Sequence, residues 1–119
     1  MAQEKFGKRI RKLREKRYKH DPQFSLRRFA VRVGMSPTYL SKVERDEFPP
    51  PSENKIKTMA SALEVDPDEL LALAGKISSD IPEIVRRRPA LMSNLIREMK
   101  DMKDEQIDKI FRNVKDGKW

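Results

Sequence analysis

The chain has 119 residues, no cysteine and a formal net charge of +8. This length supports one compact domain, or a small domain with an appendage, but not two independent cores; without cysteine there are no disulfides and no thiolate metal sites, which suits a reducing compartment. No apolar run approaches the roughly 18 residues of a membrane span, and Met1-Ala2-Gln3-Glu4-Lys5 lacks the apolar block of a signal peptide, so a soluble, cytoplasmic protein with no membrane partner is expected.

Residues 1 to 51 carry 14 Lys/Arg against 6 Asp/Glu, the whole of the excess, whereas residues 52 to 119 carry 13 of each. A basic half backed by a neutral half fits a polyanion-binding face on a neutral scaffold. The plainer alternative is that Lys and Arg only solvate helix surfaces.

From about Glu4 to Arg17, the residues Phe6, Ile10 and Leu13 recur at helical spacing among Lys8, Arg9, Arg11, Lys12, Lys16 and Arg17. The pattern predicts a basic amphipathic helix whose narrow apolar stripe fits a small helical domain better than a membrane surface or a calmodulin-type partner. Tyr18 to Gln23 breaks the periodicity and reads as a loop. Ser25 then offers an N-cap oxygen, and Phe24 before it is placed to fold back on Phe29 as a hydrophobic staple. Leu26, Phe29, Ala30 and Val33 form the inner stripe of this second helix, with Arg27, Arg28 and Arg32 outside. Gly34 supplies the left-handed stop.

Ser36 caps a third helix, and Pro37 takes its first position, where a missing N–H costs nothing. Leu40 and Val43 are its only aliphatic residues, so one thin seam faces a core and Pro37, Thr38, Ser41, Lys42 and Arg45 are left to a partner. So short a helix must be held by neighbours. Only Met35 separates Gly34 from Ser36, so the second and third helices turn sharply, and Ala30 is small where their axes pass closely. Pro49 to Pro51 form a rigid connector, the alternative being a proline-rich ligand for a partner domain. Ser52 caps a fourth helix with Ile56, Met59, Ala60 and Leu63 inside. Asp66 and Pro67 begin a fifth that carries Leu70, Leu71, Leu73 and Ala74 and closes at Gly75.

The remaining residues predict a short helix with Ile81, Ile84 and Val85, a second from Pro89 with Leu91, Met92, Leu95, Ile96 and Met99, and a last one with Ile107, Ile110, Phe111 and Val114. The last two read as a helical hairpin with more apolar face than it buries against itself. A second copy is the preferred cover, and packing within the chain is the alternative.

Ser25 to Arg45, with Ala30 followed four residues later by Gly34, and then Ser36, Tyr39, Leu40, Ser41, Val43, Glu44 and Arg45, resembles the helix-turn-helix of the lambda-repressor/Cro-like (Xre) transcriptional regulators. The likeness continues through Ser52 to Leu71. It implies an all-α, five-helix DNA-binding domain at residues 1–75; residues 76–119, by their own periodicity, follow as a C-terminal hairpin for dimerisation or partner binding. By resemblance, Pro37, Thr38, Ser41, Lys42 and Arg45 lie at the major groove, where Lys42 and Arg45 suit guanine, and Thr38 and Ser41 suit a base edge or a phosphate. Arg27, Arg28, Tyr39, Lys8, Arg9 and Lys12 are phosphate candidates. Resemblance also implies an ion pair between Arg14 and Glu44 that orients the third helix. The chain departs from the family pattern in a longer loop before the second helix, in Leu26 where glutamine is frequent, and in Asp46 to Pro51 where a glycine-containing turn is common.

His20, the sole histidine, sits in a charged loop, and no Gly-rich phosphate loop or spaced ligand set occurs. No catalytic residue, metal or cofactor is therefore expected. The expected function is sequence-specific binding of double-stranded DNA as a homodimeric repressor on a near-palindromic operator, with Leu91, Leu95, Met99, Ile107, Ile110, Phe111 and Val114 at the dimer or partner surface. Two alternatives are an antitoxin-type autoregulator whose residues 76–119 bind a toxin or protease, and a module that binds RNA or acidic proteins without sequence preference.

Overall fold

Short oxygen-bearing side chains set four of the helix starts. Ser25 Oγ accepts from the Arg28 N–H at 3.2 Å, Ser36 Oγ from Tyr39 at 3.1 Å, Ser52 Oγ from Lys55 at 3.3 Å, and Asp66 Oδ1 from Asp68 at 2.8 Å. In the computed structural model, which describes residues 4–119, these caps open α2 (Leu26–Arg32), α3 (Pro37–Glu44), α4 (Glu53–Leu63) and α5 (Pro67–Leu73). Pro37 and Pro67 occupy first-turn positions as expected. The reading of Met1, Ala2 and Gln3 as a leaderless N-terminus lies outside the described residues. Among the described residues there is no strand, and no helix is long and apolar enough to cross a membrane.

α1 (Phe6–Tyr18) has no cap of its own. Asp46, just past the end of α3, supplies one: its Oδ1 accepts from the Gly7 N–H at 2.9 Å. The approach works only because position 7 is glycine, since a Cβ there would lie 2.0 Å from the Val43 carbonyl oxygen. The stretch expected as a plain loop instead forms a 3-10 turn, Pro22–Phe24, after Asp21 accepts from the Gln23 N–H at 2.9 Å. The staple is present, with the Phe24 and Phe29 rings stacked at 6.0 Å.

The chain separates into two units, Met1–Ser78 and Ser79–Trp119. In the first, Phe6 and Ile10 of α1, Phe29 and Ala30 of α2, Leu40 and Val43 of α3, and the inner faces of α4 and α5 close on one core. Full burial of Leu40 and Val43 is worth about 1.5 to 3 kcal/mol each, which is what holds a helix too short to persist alone. The second unit comprises α6 (Asp80–Arg87), α7 (Pro89–Met99) and α8 (Asp104–Lys115). These three helices contain no buried residue.

Candidate nucleic-acid interface

α3 is fixed from beneath by a charged clamp. Arg14 and Glu44, 7% and 5% exposed, meet through two parallel bonds, Nε to Oε2 at 2.7 Å and Nη2 to Oε1 at 2.9 Å. The remaining guanidinium nitrogen donates to the Phe24 carbonyl at 3.1 Å, so one side chain of α1 ties together the entry to α2 and the end of α3. The Glu44 carboxylate beside it raises the Arg14 pKa above its ordinary value, against the opposing effect of burial. The pairing that resemblance implies is thus present, and it is buried.

Above the clamp, Pro37, Thr38, Ser41 and Arg45 line a shallow depression of about 270 Å³ together with Leu26 of α2. Thr38 and Arg45 are exposed, while Pro37, Ser41 and Lys42 are half-buried. Arg45 Nε donates to the Ser41 carbonyl at 3.3 Å, and its other end lies 3.4 Å from Glu47. Both contacts are exposed and cheaply exchanged for a stronger acceptor. Lys42 Nζ sits 5.0 Å from the centroid of the Phe48 ring, which also packs against Tyr39 at 5.8 Å. Phe48 therefore sets the resting direction of Lys42 and holds the half-buried Tyr39 ring in place.

A sequence model described as a helix-turn-helix domain matches residues 5–73. The chain belongs to the helix-turn-helix domain family. No curated protein and no solved structure matches it. Membership makes double-stranded DNA the expected partner, with α2 and α3 as the helix-turn-helix and α3 as the element that presents side chains to bases.

The turn of this helix-turn-helix has a support that periodicity alone did not reveal. Lys55 Nζ of α4 donates to the carbonyls of Val33 at 2.9 Å and Gly34 at 3.2 Å, placing a cation on the open C-terminal end of α2. Gly34 takes the expected left-handed conformation, φ +75°.

Of the six phosphate candidates, Arg27 and Arg28 are exposed at the start of α2, and Lys8 is exposed on α1. Arg9 is not brought to α3. It lines a cleft with Glu69 and Leu70 of α5 and lies 4.0 Å from Glu4. Lys12 is held by the same carboxylate at 2.8 Å, and this bond lowers the Glu4 pKa from its ordinary value. Arg11, not among those six, lines a depression with Ser41, Glu44 and Arg45. At 3.6 residues per turn, Arg9 is about 200° around the helix from Arg11. The available signal was that Arg11 shares a face with Arg14 at i, i+3. Leu26 was assigned wholly to the core; it packs there, half-buried, and also edges the depression beside Thr38 and Ser41.

Proposed function

We propose that this chain is a non-enzymatic, sequence-specific DNA-binding transcriptional regulator of the lambda-repressor/Cro-like class, a cytoplasmic repressor that binds a near-palindromic operator as a homodimer. One observation carries the reading: α3 is anchored by a buried seam and a buried ion pair, while Thr38, Ser41 and Arg45 share an outward depression with Leu26. The anchored side fixes position, and the outward side is free to read. Lys42 and Arg45 supply donors for guanine, Thr38 and Ser41 bond to base edges or phosphates, and Leu26 adds an apolar surface of the kind that meets a thymine methyl. Arg27, Arg28, Arg11 and Lys8 neutralise phosphates.

A second copy is the cover assigned to the C-terminal helices. Along α8, Asp104, Glu105 and Asp108 occupy the first half, and Lys109, Arg112 and Lys115 the second, around the stripe of Ile107, Ile110, Phe111 and Val114. Two such helices running antiparallel match acid to base at both ends while covering both stripes.

Selection of bound sites from random duplexes, with the mass of the protein measured free and bound, tests this reading. A near-palindromic consensus bound by two copies is expected, with half-sites separated by a whole number of helical turns. Lys42→Ala is expected to cost about 1 to 3 kcal/mol on the selected site and to relax preference at one position. Arg27→Ala weakens selected and random duplexes alike and reduces the salt slope by about one. Equal affinity for every duplex, for single strands and for RNA overturns sequence-specific reading. A monomer at binding concentrations, or a stoichiometric foreign partner bound through residues 76–119, overturns the homodimer.

A further inference from the structure

His20, Asp21 and Phe24, in the segment that joins α1 to α2, form one wall of a cleft in the first unit. The cleft has a volume of about 450 Å³, within the size range of small-ligand sites, and its floor is apolar: Leu13 of α1, Phe24, Leu63 of α4 and Val65. Its rim carries one unpaired cation, the Lys16 ammonium. Lys16 and His20 edge it, and among the described residues neither side chain has an ion pair or hydrogen bond. Of the remaining rim groups, Arg17 is paired with Glu64 at 2.8 Å and lies over the Phe24 ring, and Asp21, the one carboxylate among the lining residues, accepts from the Gln23 backbone. An apolar floor with uncommitted positive charge at its mouth selects an occupant of one chemistry, an apolar body ending in a single negative charge.

Phe24 connects this cleft to α3. Its ring lines the floor, and its carbonyl accepts from the same Arg14 guanidinium that holds Glu44. The fork is planar and rigid, so moving the Phe24 backbone lengthens one bond of the clamp or turns the guanidinium. A ligand that prefers the displaced position of Phe24 therefore disfavours the arrangement in which Glu44 anchors α3.

We propose that the cleft is an effector site for a small apolar monocarboxylic acid, and that its occupancy weakens DNA binding through Phe24, Arg14 and Glu44. The site itself stands apart from the DNA-binding reading, and the coupling rests on it.

The test titrates the full chain with 2-naphthoate, and with naphthalene-2-methanol as an uncharged isostere, while backbone amide resonances are followed by NMR. Saturable shifts are expected at Leu13, Phe24, Leu63 and Val65 and, beyond the cleft, at Val43 and Glu44. Lys16→Gln is expected to bind naphthoate about fivefold more weakly with an unchanged thermal midpoint, as for one partly screened charge pair, and the alcohol is expected to bind no better than naphthoate does to that variant. Saturating naphthoate is expected to raise the Kd for the selected duplex about fivefold, and the duplex to raise that for naphthoate by the same factor. Shifts that are absent, or that scatter over the basic residues of α2 and α3, overturn the site, as does a Lys16→Gln chain that binds like the parent. Cleft shifts that stop short of Glu44, with duplex affinity unchanged, overturn the coupling. A chain that binds naphthoate in the cleft and no duplex of any sequence overturns the DNA-binding reading and leaves the site standing.

Discussion

The unit ending at Ser78 and the unit beginning at Ser79 use the same pattern, short helices with an apolar stripe at i, i+3, i+4, and they end in opposite conditions. In the first, Ile10, Phe29, Leu40, Ile56 and Leu63 are all fully buried. In the second, Leu91, Leu95, Phe111 and Val114 remain 64%, 50%, 60% and 58% exposed. Periodicity shows that a face needs covering; what covers it depends on whether other parts of the chain supply a complementary surface. The first unit does so through caps and a clamp that no stripe contains, and the most direct way to break the contrast is to remove those.

The largest effect is expected at the clamp. Glu44→Gln leaves Arg14 buried with no countercharge and is expected to cost about 3 to 5 kcal/mol of unfolding free energy in urea. Arg14→Met should cost about as much, and the double variant distinctly less than the two added together, because replacing both partners removes the stranded charge. Additive losses of about 1 kcal/mol or less each would reduce the pair to an ordinary surface contact. Gly7→Ala comes next. The new methyl meets the Val43 carbonyl and must push α1 off the end of α3, at an expected cost of about 1 to 3 kcal/mol. In an open helix the same change would stabilise, so the sign of the measured difference decides whether α1 and α3 touch there. Lys55→Met is expected to cost about 1 to 2 kcal/mol, since it removes a charged donor from two carbonyls at the end of α2. Lys55→Arg should recover part of that loss.

These four positions also mark how far the sequence could be read. The caps at Ser25, Ser36, Ser52 and Asp66, the stop at Gly34 and the buried seam of α3 were legible because each is a local signal, made within four residues of where it acts. Gly7 was not, because its reason lies 36 residues away in a carbonyl of α3, and a glycine inside a helical pattern announces a close approach without naming the neighbour. Lys55 looked like any other surface cation on α4. Arg9 and Arg11 lie on different faces of α1, and which of them neighbours α3 follows only once the face carrying Arg14 is fixed against Glu44. The buried ion pair came from resemblance, since charge counting alone does not distinguish Arg14 from the other Lys and Arg residues around it. The 3-10 turn at Pro22–Phe24 was missed because its signal, Asp21 before a proline, was subsumed in the loss of helical period.

The smallest expected effect probes the second unit. Phe111→Ser removes an exposed ring, so little apolar area is lost within one chain, and the unfolding free energy of dilute protein is expected to change by no more than about 0.5 kcal/mol. The parent chain should then differ from the variant in one respect. If a second copy covers α8, the parent's thermal midpoint rises with protein concentration, because association stabilises only the folded state, and the variant's stays flat. A scan over a hundredfold range of concentration, read beside sedimentation of both proteins, separates the cases. A midpoint that is flat for both means that the face is not covered by a second copy, whereas a large loss in dilute variant means that Phe111 is already covered within its own chain. Either result would place the contrast between the two units in the partner a face finds and not in the helices themselves.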